Sequence, residues 1–160
     1  EYWDSEAFDS FIFHTALEYL REKKPRVLAI LLGETDEWAH AGRYDLYLKS
    51  ARRADQYARL LWETLQSMPE YRGSTTLILA TDHGRGPGRK DWRGHGRRIP
   101  DSQYVWMAFL GPDTPPLGVR ENTTTVAQAQ LAATIAALLG ADFRSAVPAA
   151  AAPIRDVLAR

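Results

Sequence analysis

Five residues form a pattern suited to metal chemistry: Asp36, His40, Asp82, His83 and His95. Asp36 and His40 stand four apart in the segment GETDEWAH, 33–40. If a turn of helix starts there, both side chains project from one face and can grip one cation. Asp82 and His83 are adjacent in ATDHG, 80–84. Neighbouring residues reach the same metal only where the backbone turns, and Gly84 permits such a turn. Twelve residues after His83, the segment GHG, 94–96, offers His95 from a loop that can fold back. Each piece has a plainer reading. Asp-x-x-x-His recurs by chance on helices, Asp82 could cap a turn, and His83 could be a hydrogen-bonded core histidine. Together they carry more, because three of the four histidines gather in these stretches. The fourth, His14, lies mid-helix and reads as a surface or packing residue.

The loop 84–101 sets Arg85, Arg89, Lys90, Arg93, Arg97 and Arg98 against Asp91 and Asp101. It reads either as a solvated basic loop or as a clamp for an anionic ester, since arginine binds phosphate oxygens bidentately. Arg85 and Arg89 are the substrate-binding candidates. Trp92 and Trp106 flank the loop, the composition of a nucleic-acid contact, but the patch is short and the whole chain is neutral, so no nucleic-acid partner is expected. Asp55 falls on the expected inner face of a helix and would need hydrogen-bonding partners there. Tyr44 and Tyr47 follow His40 closely and read as site-lining or core residues.

The elements must place these groups in a chain of 160 residues with 45% apolar residues, enough for a real core. Twenty basic residues balance twenty acidic ones, so no global charge draws the chain to nucleic acid or an acidic membrane. With no cysteine, disulfides, zinc fingers, iron–sulfur clusters and thiol nucleophiles are excluded. Any metal must be held by histidine and carboxylate. The longest apolar runs are strand-sized, far below the ~20 residues of a membrane span. The chain opens on Glu1 with no secretory leader, as a fragment or a processed product would.

Helical spacing predicts a helix over 5–24, with Phe8, Ile12, Ala16 and Leu20 on its apolar stripe, Ser5 as cap and Pro25 as stop. A second helix is expected over 44–68, with Tyr47, Ala51, Ala54, Ala58, Leu61 and Leu65 inward, and a third over 125–139, closed by Gly140. Continuous apolar runs predict strands at 26–33 (RVLAILLG), 74–80 and 103–110. The tail 147–153 is rich in Ala and Pro, with a short helix expected over 154–158. The alternation predicts one α/β domain over 1–160, a mainly parallel sheet sandwiched by helices. The aspartates and histidines then fall at the carboxyl ends of two strands, where ligands collect in such sheets. Three strands are few for that architecture, which points to a larger domain.

GETDEWAH, ATDHG and GHG in this order, with the strand YVWMAFLGPD (104–113) and the helix VAQAQLAATIAALLG (126–140), resemble the C-terminal half of an alkaline phosphatase superfamily enzyme. The resemblance covers about residues 5–143. It implies an α/β metalloenzyme, a phosphatase or phosphodiesterase acting on a small anionic phosphoester. It implies two divalent ions, one on Asp36, His40 and His95, the other on Asp82 and His83. Three histidines with two aspartates favour zinc or manganese. In that superfamily the Ser or Thr nucleophile and a further metal aspartate come from the N-terminal half, and no catalytic residue of that kind is found in this chain. The implied mechanism is two-metal phosphoryl transfer. A phosphomutase of the same superfamily is the alternative within it. Outside it, the alternatives are a non-catalytic metal-binding or interaction module and a basic-loop nucleic-acid binder.

Overall fold

The computed structural model describes residues 7–120 and 124–158, arranged in two compact units. One unit contains the chain up to Arg72 together with His83–Tyr104, and the other contains Gly73–Asp82 together with the chain from Val105 onward.

The first unit is helical. Helix α1 spans Asp9–Lys23 and buries Phe13, Leu17 and Leu20, which recur every three to four residues on one face. The expected stripe is off by one residue in its first half. Phe11 and Ile12 face outward, while Leu20 is buried as expected. Ser5 lies outside the described residues. Lys24 takes a left-handed conformation and returns its N–H to the Leu20 carbonyl, and Pro25 prevents continuation. Helix α2 spans Glu34–His40 and helix α3 spans Tyr44–Ser67. The Phe13 ring stacks on Tyr57 of α3 at 4.1 Å. Phe13, Leu17, Leu20 and Leu65 form the core, with Leu28, Leu32, Tyr57, Leu61 and Tyr71 packed against it. Each fully buried side chain of this size contributes about 1.5–3 kcal/mol. Of the expected inward face of α3, Leu65 is buried and Leu61 packs against the core, but Ala51 and Asp55 are exposed, and Ser50 and Thr64 are buried in addition.

Residues 26–33 are not a strand of a sheet. They have no regular secondary structure, with Leu28, Ile30 and Leu32 partly covered, while Val27, Ala29 and Leu31 are exposed. Only one side is covered, not both. Between Val27 and Leu32 no backbone group pairs with a strand among the described residues.

The second unit holds the only strand pair among the described residues, β1 (Leu77–Ala80) and β2 (Met107–Leu110). They are antiparallel, in register Leu77 with Leu110 through Ala80 with Met107. A 3₁₀ turn at Gln128–Gln130 leads into a helix at Leu131–Leu138. Gly140, at φ 76°, ends it, and Ala141 N–H bonds back to the Ala136 carbonyl at 2.8 Å. The buried Thr134 hydroxyl donates to the Gln130 carbonyl and accepts from Ile154 N–H, which fixes the Ala/Pro-rich tail. A single 3₁₀ turn, Arg155–Val157, stands where a short helix was expected.

These findings correct the expected fold. The described residues are mainly helical, with one small antiparallel pair, not a mainly parallel sheet between helix layers. Both strands are half-covered rather than buried on two faces, so the doubly covered sheet that the apolar runs implied does not exist. The large sheet sandwich of the alkaline phosphatase superfamily is therefore not present, and the resemblance drawn from motif order is overturned.

Candidate metal centre

Helix α2 is seven residues long and cannot hold its shape alone. Two contacts anchor it. Trp38 and Ala39 are buried, and the Asp9 carboxylate accepts hydrogen bonds from the backbone of Gly33 (2.8 Å) and Glu34 (3.1 Å). The Glu34 carboxylate reciprocates, accepting from Asp9 N–H at 3.0 Å, from the Ser50 hydroxyl at 3.0 Å and from Arg53 at 3.1 Å. This network pins the start of α2 to α1 and α3. One turn on, Asp36 and His40 project together, and His40 Nε2 lies 3.2 Å from Asp36 Oδ2.

The segment after β1 brings the other imidazoles. Gly84 N–H donates to the Ser102 carbonyl at 2.8 Å, and a Cβ on Gly84 would collide with the Tyr104 carbonyl. Gly86 is as tightly enclosed, by Ile99 and Asp91. The buried Ser102 hydroxyl accepts from Gly96 N–H at 3.1 Å and lies 2.9 Å from the carbonyls of Gly96 and Ile99. So fastened, the loop stacks the His95 ring on His83, centroids 3.7 Å apart and planes 11° from parallel.

Asp36 Oδ1 faces His83 Nε2 at 3.5 Å and His95 Nε2 at 3.7 Å, and His95 Nε2 lies 3.1 Å from His40 Nε2. Asp36, His83 and His95 thus offer one ligand atom each, all within 4.8 Å of one another. That group could hold one ion. His83 Nδ1 lies 3.0 Å from the Gly84 carbonyl, which leaves Nε2 as the nitrogen that faces the carboxylate. Burial first, then neighbouring His83, push the His95 imidazole below its ordinary range, against the pull of Asp36; His40 and Arg85 add to the lowering. A neutral imidazole is the form that binds metal.

The basic loop does not present its charges alike. Arg85 turns inward, and its Nη2 donates to Asp36 Oδ1 while Nη1 reaches the Trp92 carbonyl at 3.4 Å. Arg89 is exposed on the short helix Gly88–Asp91. Arg93 lies over the Trp92 ring at 6.0 Å. Tyr44 and Tyr47 pack edge-on against Trp92, with centroids at 5.2 and 5.8 Å. Asp82 is exposed and belongs to the other unit; it is not in the ligand group. His14 is exposed, with its ring edge toward Phe13 and Tyr57.

The chain matches no protein-family model, no curated protein and no solved structure. The site's chemistry must therefore speak for itself. It corrects the expected activity. One ligand group is found among the described residues, without the sheet scaffold of a two-metal phosphatase, phosphodiesterase or mutase, so the two-ion phosphoryl-transfer reading is overturned. Nothing specifies zinc over other ions. The described residues also contain no helix long and apolar enough to cross a membrane.

Sequence reasoning missed Asp9, Glu34 and Ser102. All three are polar, buried and hydrogen-bonded. The one available signal was position, since Glu34 opens α2 beside Asp36, where an acid favours a helix start.

Proposed function

We propose that this chain is a metal-binding module that holds one divalent transition-metal ion on Asp36, His83 and His95, with His40 as a further imidazole within reach. The supporting observation is the spacing of the donors. Atoms bonded to one tetrahedral ion at about 2.0–2.1 Å lie about 3.3–3.4 Å from each other. Asp36 Oδ1 lies 3.5 Å from His83 Nε2 and 3.7 Å from His95 Nε2, close to that value. A carbonyl 3.0 Å from His83 Nδ1 suits a ring that binds a metal through Nε2. Three imidazoles and one carboxylate suit zinc, cobalt, nickel or copper better than magnesium or calcium.

Calorimetric titration of the metal-free protein with Zn2+ tests this reading. One ion per chain is expected, with His95→Ala weakening the affinity at least about tenfold. A folded sample that takes up no zinc, cobalt or nickel would overturn it.

A further inference from the structure

Among the described residues, four side chains face the Asp36 carboxylate: three imidazoles and the Arg85 guanidinium. The guanidinium is the odd member. It cannot lose its proton, so it brings a permanent positive charge into a cluster otherwise fit to receive a cation. Its side chain is only 13% exposed, so water screens that charge poorly. Its place is also specific. Arg85 Nη2 bonds to Oδ1, the oxygen that His83 Nε2 and His95 Nε2 face. The other oxygen, Oδ2, lies toward His40. An ion held by His83, His95 and Oδ1 therefore needs the oxygen that Arg85 already holds.

We propose that Arg85 is a built-in competitor for the ion and decides which ions the centre accepts. This rests on the metal reading above. An incoming dication must share Asp36 with the guanidinium or push it away, and two like charges on one carboxylate repel. The penalty is greater at the carboxylate oxygen that Arg85 bonds than at the imidazoles. Manganese, magnesium and calcium depend on oxygen ligands, whereas zinc, nickel and copper bind well through imidazole nitrogen. With Arg85 on Oδ1, the centre offers nitrogen freely and oxygen reluctantly, so it discriminates against the oxygen-seeking ions.

The opposite role has a clear signature. A group that hydrogen-bonds a ligating carboxylate commonly orients it and strengthens binding. Support and competition differ in sign. The test is calorimetric titration of wild type, Arg85→Gln and Arg85→Lys with Zn2+ and separately with Mn2+, each variant first shown to be folded by its unfolding transition. Arg85→Met, with the same expected sign, replaces Arg85→Gln if glutamine does not fold. Competition predicts that Arg85→Gln binds zinc about tenfold more tightly, the scale on which carboxylate partners alter metal affinity. The gain for manganese exceeds that for zinc, and Arg85→Lys, which keeps the charge, stays within about threefold of wild type. Unchanged or weaker zinc binding by Arg85→Gln, in a wild type that binds one ion, overturns the inference and leaves the metal reading standing. An equal gain in Arg85→Lys also overturns it, because charge is then not the cause. If neither wild type nor Arg85→Gln binds zinc, the metal reading fails and the inference with it.

Discussion

Glu34 and Asp36 stand two residues apart on α2, yet their surroundings follow opposite rules. Glu34 is 2% exposed, and its two oxygens take a backbone N–H, a serine hydroxyl and a guanidinium. Its partner in the network, Asp9, is 1% exposed and receives two backbone N–H groups on one oxygen. Asp36 is about one-third exposed and faces three imidazole nitrogens and the Arg85 guanidinium. The first cluster is buried and gathers hydrogens onto the Glu34 carboxylate, with one Asp9 oxygen left over; the second sets three imidazoles and a guanidinium around one half-open carboxylate. A buried carboxylate that accepts several hydrogen bonds, as Glu34 does, stabilises a fold, since removing it strands what it satisfied. A half-open group of imidazoles gives the ion-free fold less, and becomes stabilising when a cation joins it.

Three measurements would sharpen or break this comparison. The largest effect is expected at Glu34. Glu34→Ala strands Ser50 and the Asp9 N–H in the interior and should cost about 3 kcal/mol in urea unfolding of the ion-free protein. His95→Ala should change that same quantity by no more than about 0.5 kcal/mol. Equal losses in the two variants would erase the distinction between the clusters.

The second effect is the mirror image. At free zinc of about 100 times the dissociation constant, the wild type should gain about 2.7 kcal/mol of stability. His95→Ala should lose most of that gain, seen as a much smaller zinc-induced rise in Tm. A full gain in the variant would remove His95 from the ligand set.

The smallest effect tests the buried pair by pH. Burial raises the Asp9 carboxyl above its ordinary 3.8, and the Glu34 charge adds to the rise, against the hydrogen bonds from Glu34 and Gly33 and the Arg53 charge. A carboxyl with a raised folded value holds its proton longer in the folded state than in the unfolded chain. Its contribution is therefore full below pH 3.8 and is lost as pH rises through the folded value. Asp9→Asn cannot titrate. The stability of Asp9→Asn relative to wild type should therefore rise between pH 4 and pH 7 in parallel urea titrations. A difference that stays flat or falls with pH would mean that Asp9 is comfortably ionised where it sits.

What local sequence determines was legible. The helices α1 and α3 appear within a few residues of where their spacing placed them, because the 3.6-residue period and a stop such as Pro25 act within a few turns. The approach of Asp36 to His40 follows from four residues on one helix, a distance set by backbone geometry alone. Other outcomes depended on groups far apart in the chain. An apolar run states that a segment can be extended, but not which strand it meets or in which direction. So 26–33 joins no strand among the described residues, and 77–80 meets 107–110 antiparallel. Burial also turns on rotation, since one residue is 100° around a helix. That angle separates the expected Ile12 stripe from the observed Phe13 and Leu17, and leaves Asp55 in water while Asp9 and Glu34 are buried. The ligand types were visible in the residues. Their grouping was decided by the tertiary structure, through Ser102 and the enclosed Gly84 and Gly86 that fold the loop. That fold lays His95 on His83, leaves Asp82 outside the ligand group and turns Arg85 onto the carboxylate, because each contact joins residues whose separation in sequence carries no geometric constraint.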